Sequence, residues 1–124
     1  MSDFAERQQE YDLTSFDKTR EVLRNPETVV IDIRRPDEIA ADGKVEHGNF
    51  HQVTVTLEDA SALEASAPAM IPDKDATVFI YCRSGRRATN ATKALKTMGY
   101  TNVLNGGGYS DVMAALEGTK QTSQ

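Results

Sequence analysis

Two uninterrupted apolar runs constrain the fold of this chain more than any other feature. They read TVVIDI at residues 28–33 and TVFIY at residues 77–81. Their β-branched and aromatic residues favour strands, and the lack of a polar alternation is typical of strands that are covered on both faces. The two runs therefore predict the central strands of one sheet.

The segments around these runs predict the other elements. Helices are expected at 14–27, from 36 to about 41, at 57–66, from 86 to 98 and from about 109 to 117, and two weaker strands at 50–56 and 102–104. Strands that alternate with helices indicate an α/β fold with a mostly parallel sheet. We expect three layers, with helices on both faces of a sheet of about five strands.

Length and charge limit the class of protein. At 124 residues and a net charge of −5, the chain is one acidic domain, which argues against a general nucleic-acid surface. We expect residues 1–12 to be a flexible extension, 13–118 the folded domain, and 119–124 a flexible tail. No apolar run approaches the roughly 20 residues that cross a bilayer, and the first residues lack a secretory pattern. We therefore expect a cytoplasmic location and no membrane partner.

The cysteine and histidine content argues against a metal centre. Cys82 is the only cysteine, so an intramolecular disulfide is excluded. His47 and His51 are four residues apart, but no nearby residue completes a set of ligands. No metal site is expected.

Cys82 stands at the end of the second apolar run, in the segment CRSGRRA. In a parallel sheet this position lies at the carboxyl edge, where ligands bind. The backbone N–H groups after the cysteine can converge on an anion at the start of the following helix, and Gly85 permits the required turn. The helix dipole and nearby guanidinium groups favour thiolate over thiol. The expected anion-binding residues are Arg83, Ser84, Gly85, Arg86 and Arg87.

The length of this loop separates two kinds of nucleophile. A phosphatase of the Cys-x5-Arg type needs an arginine six residues after the cysteine, where this chain has Ala88. The shorter loop favours a smaller group, such as one sulfur atom. An arsenate reductase usually needs a second thiol, which this chain lacks. A third alternative is a non-catalytic module in which Cys82 is a buried apolar residue.

Three segments resemble the single-domain form of the rhodanese family. They are VFIYCRSGRRA at 78–88, VVIDIRRPDEIAADGKV at 29–45 and LKTMGYTNVLNGGGYSDV at 95–112. The first is similar to the family's strand followed by Cys-Arg-x-Gly-x-Arg, and it is the most specific. The resemblance spans about residues 13 to 117 and implies a rhodanese-like fold.

The resemblance also implies an activity, which is sulfur transfer. Cys82 would take a sulfane sulfur from thiosulfate or a related donor, hold it as a persulfide, and pass it to an acceptor. The implied partners are small sulfur-containing anions and thiophilic acceptors, namely cyanide, small thiols or a thiol protein. By resemblance, Asp32, Arg34 and Glu38 support the loop; the alternative is that Asp32 only ends a strand and Glu38 is a solvated helix residue. The resemblance implies no metal and no cofactor.

The chain departs from the family pattern at two loop positions. Ser84 stands where thiosulfate-preferring members often carry lysine, and Ala88 stands where many members have serine or threonine. The first departure weakens the case for thiosulfate as the natural donor. The second removes one hydroxyl donor, and a net hydrogen bond is worth about 0.5–1.5 kcal/mol. Reduced activity is the expectation.

Overall fold

The computed structural model describes residues 3–118. Within them, six helices and four strands follow one another along the chain. The helices are α1 (Phe4–Tyr11), α2 (Phe16–Arg24), α3 (Pro36–Asp42), α4 (Ser61–Met70), α5 (Arg86–Thr97) and α6 (Tyr109–Leu116), and the strands are β1 (Val29–Asp32), β2 (Phe50–Gln52), β3 (Thr77–Cys82) and β4 (Asn102–Gly108). No helix in this part of the chain is long and apolar enough to cross a membrane.

The sheet is parallel and has the strand order β2-β1-β3-β4. The two apolar runs form its centre, with Val29 opposite Val78 and Asp32 opposite Tyr81. The expected count of about five strands was wrong, because residues 3–118 form four. Beyond β4, Leu13 makes one isolated bridge to Asn105. The chain enters α2 directly after Ser15, so this contact does not extend into a strand.

The sheet is covered on both faces, as the apolar runs predicted. Alternate residues of β1 and β3 face opposite ways. One set, including Ile31, Ile80 and Cys82, lies in a core cluster with α4 and α5. The other set, including Val30 and Tyr81, lies in a cluster with residues of α2 and α6. The three-layer α/β/α architecture is confirmed.

The N-terminal segment differs from the expected flexible extension. Residues 4–11 form α1, which Asp3 begins with a capping box to Glu6. Phe4 is buried, and its ring centroid lies 4.8 Å from that of Phe16. The segment is largely polar, so its sequence gave little sign that one aromatic side chain anchors it. Residues 1–2 and the predicted tail at 119–124 lie outside the described residues.

Candidate active site

Cys82 is the last residue of β3 and lies at the carboxyl edge of the sheet. Its Sγ accepts a hydrogen bond of 3.1 Å from the backbone N–H of Gly85. Gly85 has φ 98°, a left-handed conformation that glycine adopts without a steric penalty, and it caps the start of α5. The side chain of Cys82 is fully buried. The thiol is therefore closed to solvent in this conformation.

The three arginines of the loop point in different directions. Arg83 and Arg86 are exposed, whereas Arg87 is half-buried. Arg87 donates from Nη1 and Nη2 to the two carboxylate oxygens of Glu38, at 2.9 and 2.8 Å. Ser84 is half-buried, and its Oγ lies 3.4 Å from the N–H of Arg86. The structure thus brings Glu38 to the start of α5.

The pair of Arg87 and Glu38 is charged over a wide pH range. The hydrogen bonds from Arg87 lower the pKa of Glu38 to about 2, against an ordinary value of 4.5. Hydrogen bonds to Glu38 raise the pKa of Arg87, and the charges of Glu38 and Cys82 add to that shift. Arg87 therefore supplies a permanent positive charge at the start of α5, close enough to Cys82 for the two charges to interact.

Asp32 and Arg34 form a second pair, away from the loop. Arg34 donates from Nη2 to Asp32 Oδ2 at 2.7 Å, and its backbone N–H donates to Asp32 Oδ1 at 2.9 Å. The same guanidinium donates to the carbonyl of Gly43 at 2.7 Å and lies 4.7 Å from the ring centroid of Tyr109. Because Asp32 pairs with Tyr81 in the sheet, it shares the face of Tyr81 and not that of Cys82. Neither side chain hydrogen-bonds to the Cys82 loop within residues 3–118, although the charge of Arg34 opposes the rise in the pKa of Arg87.

Two polar residues beyond the predicted set hold the backbone of the loop. Asn105 Nδ2 donates to the carbonyl of Gly85 at 3.0 Å, and Thr89 Oγ1 donates to the same oxygen at 2.9 Å. Asn105 Oδ1 also accepts from the N–H of Gly107 at 2.9 Å. The only sequence signal was the position of Asn105, directly before the three glycines 106–108.

Gly108 explains why the end of β4 is rich in glycine. A Cβ atom at this position would lie 2.0 Å from the carbonyl oxygen of Arg83. The backbone of β4 therefore lies against the backbone of the loop, which any side chain would displace.

Arg7 and Asp111 also belong to this region, although neither was predicted to. Arg7 Nη1 donates to the carbonyl of Ser84 at 2.9 Å. Its guanidinium also donates to both carboxylate oxygens of Asp111, at 2.7 and 2.9 Å. Asp111 Oδ2 in turn accepts from the N–H of Gly108 at 2.8 Å. Arg7 was missed because it lies in the segment that was expected to be flexible.

Comparison with protein families places most of the chain in one known group. The family model described as "Rhodanese-like domain" matches residues 15–115. A thiosulfate sulfurtransferase, PspE of Escherichia coli, is 35% identical over 82 residues, which cover 66% of this chain and 71% of that protein. A putative mitochondrial thiosulfate sulfurtransferase of Schizosaccharomyces pombe is 32% identical over 99 residues, which cover 73% and 68% of the two chains.

Solved structures show the same fold. A polysulfide-sulfur transferase homodimer from Wolinella succinogenes is 25% identical, with a TM-score of 0.66 over 97% of this chain and 86% of that one. A rhodanese from E. coli, solved with anions, is 30% identical with a TM-score of 0.54, and the match covers 68% and 89% of the two chains. The strand-loop-helix arrangement at Cys82 thus lies within a fold that sulfur-transferring proteins share.

Proposed function

Because this chain belongs to the rhodanese-like domain family, we propose that it is a sulfurtransferase that carries sulfur on Cys82. The relatives named above are thiosulfate and polysulfide sulfurtransferases, which supports the enzyme class. The observation that carries the proposal is the position of Sγ. It lies at the carboxyl edge of the sheet, accepts the Gly85 N–H, and has the Arg87 cation nearby.

The reaction takes place in two displacements. In the first, the Cys82 thiolate attacks the outer sulfur of thiosulfate; the new S–S bond forms, the old one breaks, and sulfite leaves with the electron pair. In the second, an acceptor such as cyanide attacks the outer sulfur of the persulfide and leaves as thiocyanate, which restores the thiolate. A thiol acceptor would leave as a persulfide in the same way. Neither step needs a metal or a cofactor.

The residues of the loop have separate roles in this proposal. The Gly85 N–H and the Arg87 cation stabilise negative charge on sulfur, while the exposed Arg83 and Arg86 attract the anionic donor. Ser84 adds a hydroxyl beside the path of entry. Thiosulfate and polysulfide are the donor classes that the relatives' names support, and a cytoplasmic location is proposed with them.

Mass spectrometry of the intact protein tests the proposal. Incubation with thiosulfate or polysulfide should add about 32 Da, which cyanide should remove, and Cys82→Ser should gain nothing. Aryl phosphate and arsenate serve as competing substrates, and turnover of either would favour a phosphatase or a reductase instead. No adduct with any sulfane donor overturns the proposal.

The complete burial of Cys82 favours one second candidate, a non-catalytic module that docks a partner. In that case the thiol should react slowly with iodoacetamide at neutral pH, more slowly than free cysteine. In a sulfurtransferase, iodoacetamide should alkylate Cys82 faster than it alkylates free cysteine, because the reactive form is the thiolate. The two candidates therefore predict opposite rates in one assay.

A further inference from the structure

We propose that Arg7, on the N-terminal helix α1, is a positioning residue for sulfur transfer, because it orients and polarises the peptide group that donates to Cys82. This inference rests on the function proposed above. In this proposal Arg7 acts through the backbone of the loop, at the Ser84 carbonyl to which it donates. Helix α1 is thereby part of the site rather than an appendage to the domain.

The argument begins with a single peptide group, the one that joins Ser84 to Gly85. Its carbonyl accepts from Arg7 Nη1 at 2.9 Å, and its N–H donates to Cys82 Sγ at 3.1 Å. The chain has no cis peptide in its described part, and in a trans peptide the C=O and N–H point in opposite directions. A donor that holds the carbonyl on one side therefore aims the N–H at the sulfur on the other.

The same contact makes the Gly85 N–H a stronger hydrogen-bond donor. Hydrogen bonds in a chain polarise one another, and a bond from a charged donor is stronger than one between neutral groups. Arg7 pulls electron density toward the Ser84 oxygen, which makes the Gly85 hydrogen more positive. The more positive hydrogen stabilises a thiolate or persulfide anion at Cys82 more than it stabilises a neutral thiol. Loss of Arg7 should therefore lower the rate of sulfur transfer.

Arg7 is held in place by groups of the opposite end of the chain. Asp111, in the first turn of α6, accepts two hydrogen bonds from the guanidinium, and both side chains are largely buried, at 15% and 10% exposure. The hydrogen bond to Asp111 raises the pKa of Arg7, so its guanidinium is protonated at neutral pH. Asp111 also accepts from Gly108, which packs against Arg83. Arg7 therefore has little freedom to leave the carbonyl.

The neighbouring peptide group of the loop is fixed by other residues. The carbonyl of Gly85 accepts hydrogen bonds from Asn105 and Thr89. Arg7 takes part in neither bond. Loss of Arg7 should therefore release the Ser84–Gly85 peptide while α5 keeps its start. This separation makes a specific test possible.

The test compares Arg7→Met with a matched control, Arg20→Met. Arg20, on α2, also donates to a backbone carbonyl, that of Ala115 at 3.0 Å, and also pairs with an aspartate, Asp17. It lacks any contact with the Cys82 loop among residues 3–118. Both variants lose a hydrogen bond to a backbone carbonyl, but Asp17 is 94% exposed and Asp111 only 10%, so the two rates are compared after correction for the folded fraction.

We expect Arg7→Met to slow persulfide formation about three- to tenfold at saturating donor, with a small change in KM, and Arg20→Met to leave both unchanged. In the NMR spectrum, the amide signal of Gly85 should move in Arg7→Met, since the Ser84 carbonyl in the same peptide group loses the hydrogen bond from Arg7. Arg7→Lys, which keeps one charged donor, should recover part of the rate and part of the shift.

Two results would overturn the inference. One is an unchanged Gly85 signal and an unchanged rate in Arg7→Met. The other is an equal loss of rate in Arg7→Met and Arg20→Met after correction for the folded fraction. If the wild-type protein forms no persulfide at all, the proposed function fails, whereas the Gly85 signal still reports whether Arg7 orients the peptide. The two failures are thus distinguishable.

Discussion

Residues 32–38 supply carboxylates to two buried ion pairs that hold different parts of the molecule. Asp32 pairs with Arg34 at the end of β1, where both side chains are almost fully buried, at 0% and 1% exposure. Glu38 pairs with Arg87, at 9% and 17% exposure, and joins α3 to the start of α5. Only the less deeply buried pair includes a residue of the loop that follows Cys82. Burial alone is therefore a poor guide to which pair serves the site.

The direction of the strand explains the difference. Asp32 lies within β1 and shares a face with Val30, toward α2 and α6. Cys82 lies on the opposite face, in the cluster with α4 and α5. Glu38 lies beyond the strand, on a short helix at the edge of the sheet, and can reach the α5 side. We expect Asp32 to support the scaffold and Glu38 to support the loop.

The largest effect on stability is expected for Asp32→Asn. The substitution leaves the Arg34 guanidinium buried with a neutral partner, and we expect a loss of about 3 kcal/mol in the free energy of unfolding. That is the lower end of the usual range, because Asp42 Oδ2 remains 3.5 Å from Arg34. Urea denaturation measures the loss. Sulfur transfer per folded molecule should stay within about threefold of wild type, and a tenfold fall would place Asp32 in the site after all.

Glu38→Gln should lower stability less than Asp32→Asn does and lower sulfur transfer more. We expect a smaller loss of stability, about 1.5–2 kcal/mol, since hydrogen bonds to one charged group are weakened. Sulfur transfer should fall about tenfold, equivalent to 1.36 kcal/mol in the barrier, because Arg87 is no longer held beside Cys82. Steady-state assays with thiosulfate and cyanide give the rate. Full activity in this variant would show that the pair is purely structural.

The pH dependence of stability gives an independent check on Glu38. Its pKa is about 2 in the folded protein and near 4.5 when unfolded, so the folded state favours the charged form. The stabilisation is complete above about pH 4.5 and is lost as the pH falls from there toward 2. The stability difference between wild type and Glu38→Gln should shrink over that interval. A constant difference down to pH 2 would contradict the role of the ion pair.

The smallest effect is expected for a third pair from the same segment. Arg35 and Asp37 are exposed, at 58% and 70%, although their atoms lie 3.1 Å apart. Water and salt screen such a pair, so Arg35→Ala should leave the melting temperature and the rate of sulfur transfer unchanged. Differential scanning calorimetry and the same assay check this. A clear loss of activity would indicate that Arg35 contacts the donor.

Much of the fold could be predicted because its signals are local. The apolar runs became β1 and β3, and the alanine and leucine positions of 86–98 became the buried face of α5, with Ala88, Ala91 and Leu95 in the core. The strand count was wrong because the position beside β4 is occupied by a bridge of one residue. Helix α1 was missed because a polar helix with one anchoring aromatic leaves no periodic pattern.

Amino-acid order by itself determined where the site lies: a lone cysteine after a buried strand, followed by a glycine turn and a cationic helix start. Those features depend on residues a few positions apart, so short sequence patterns are enough to predict them. Tertiary structure alone decided which residues hold that site. Arg87 meets a carboxylate 49 residues away, and Arg7 meets a carbonyl 77 residues away. Such contacts depend on strand order and register, which set the face that each side chain occupies.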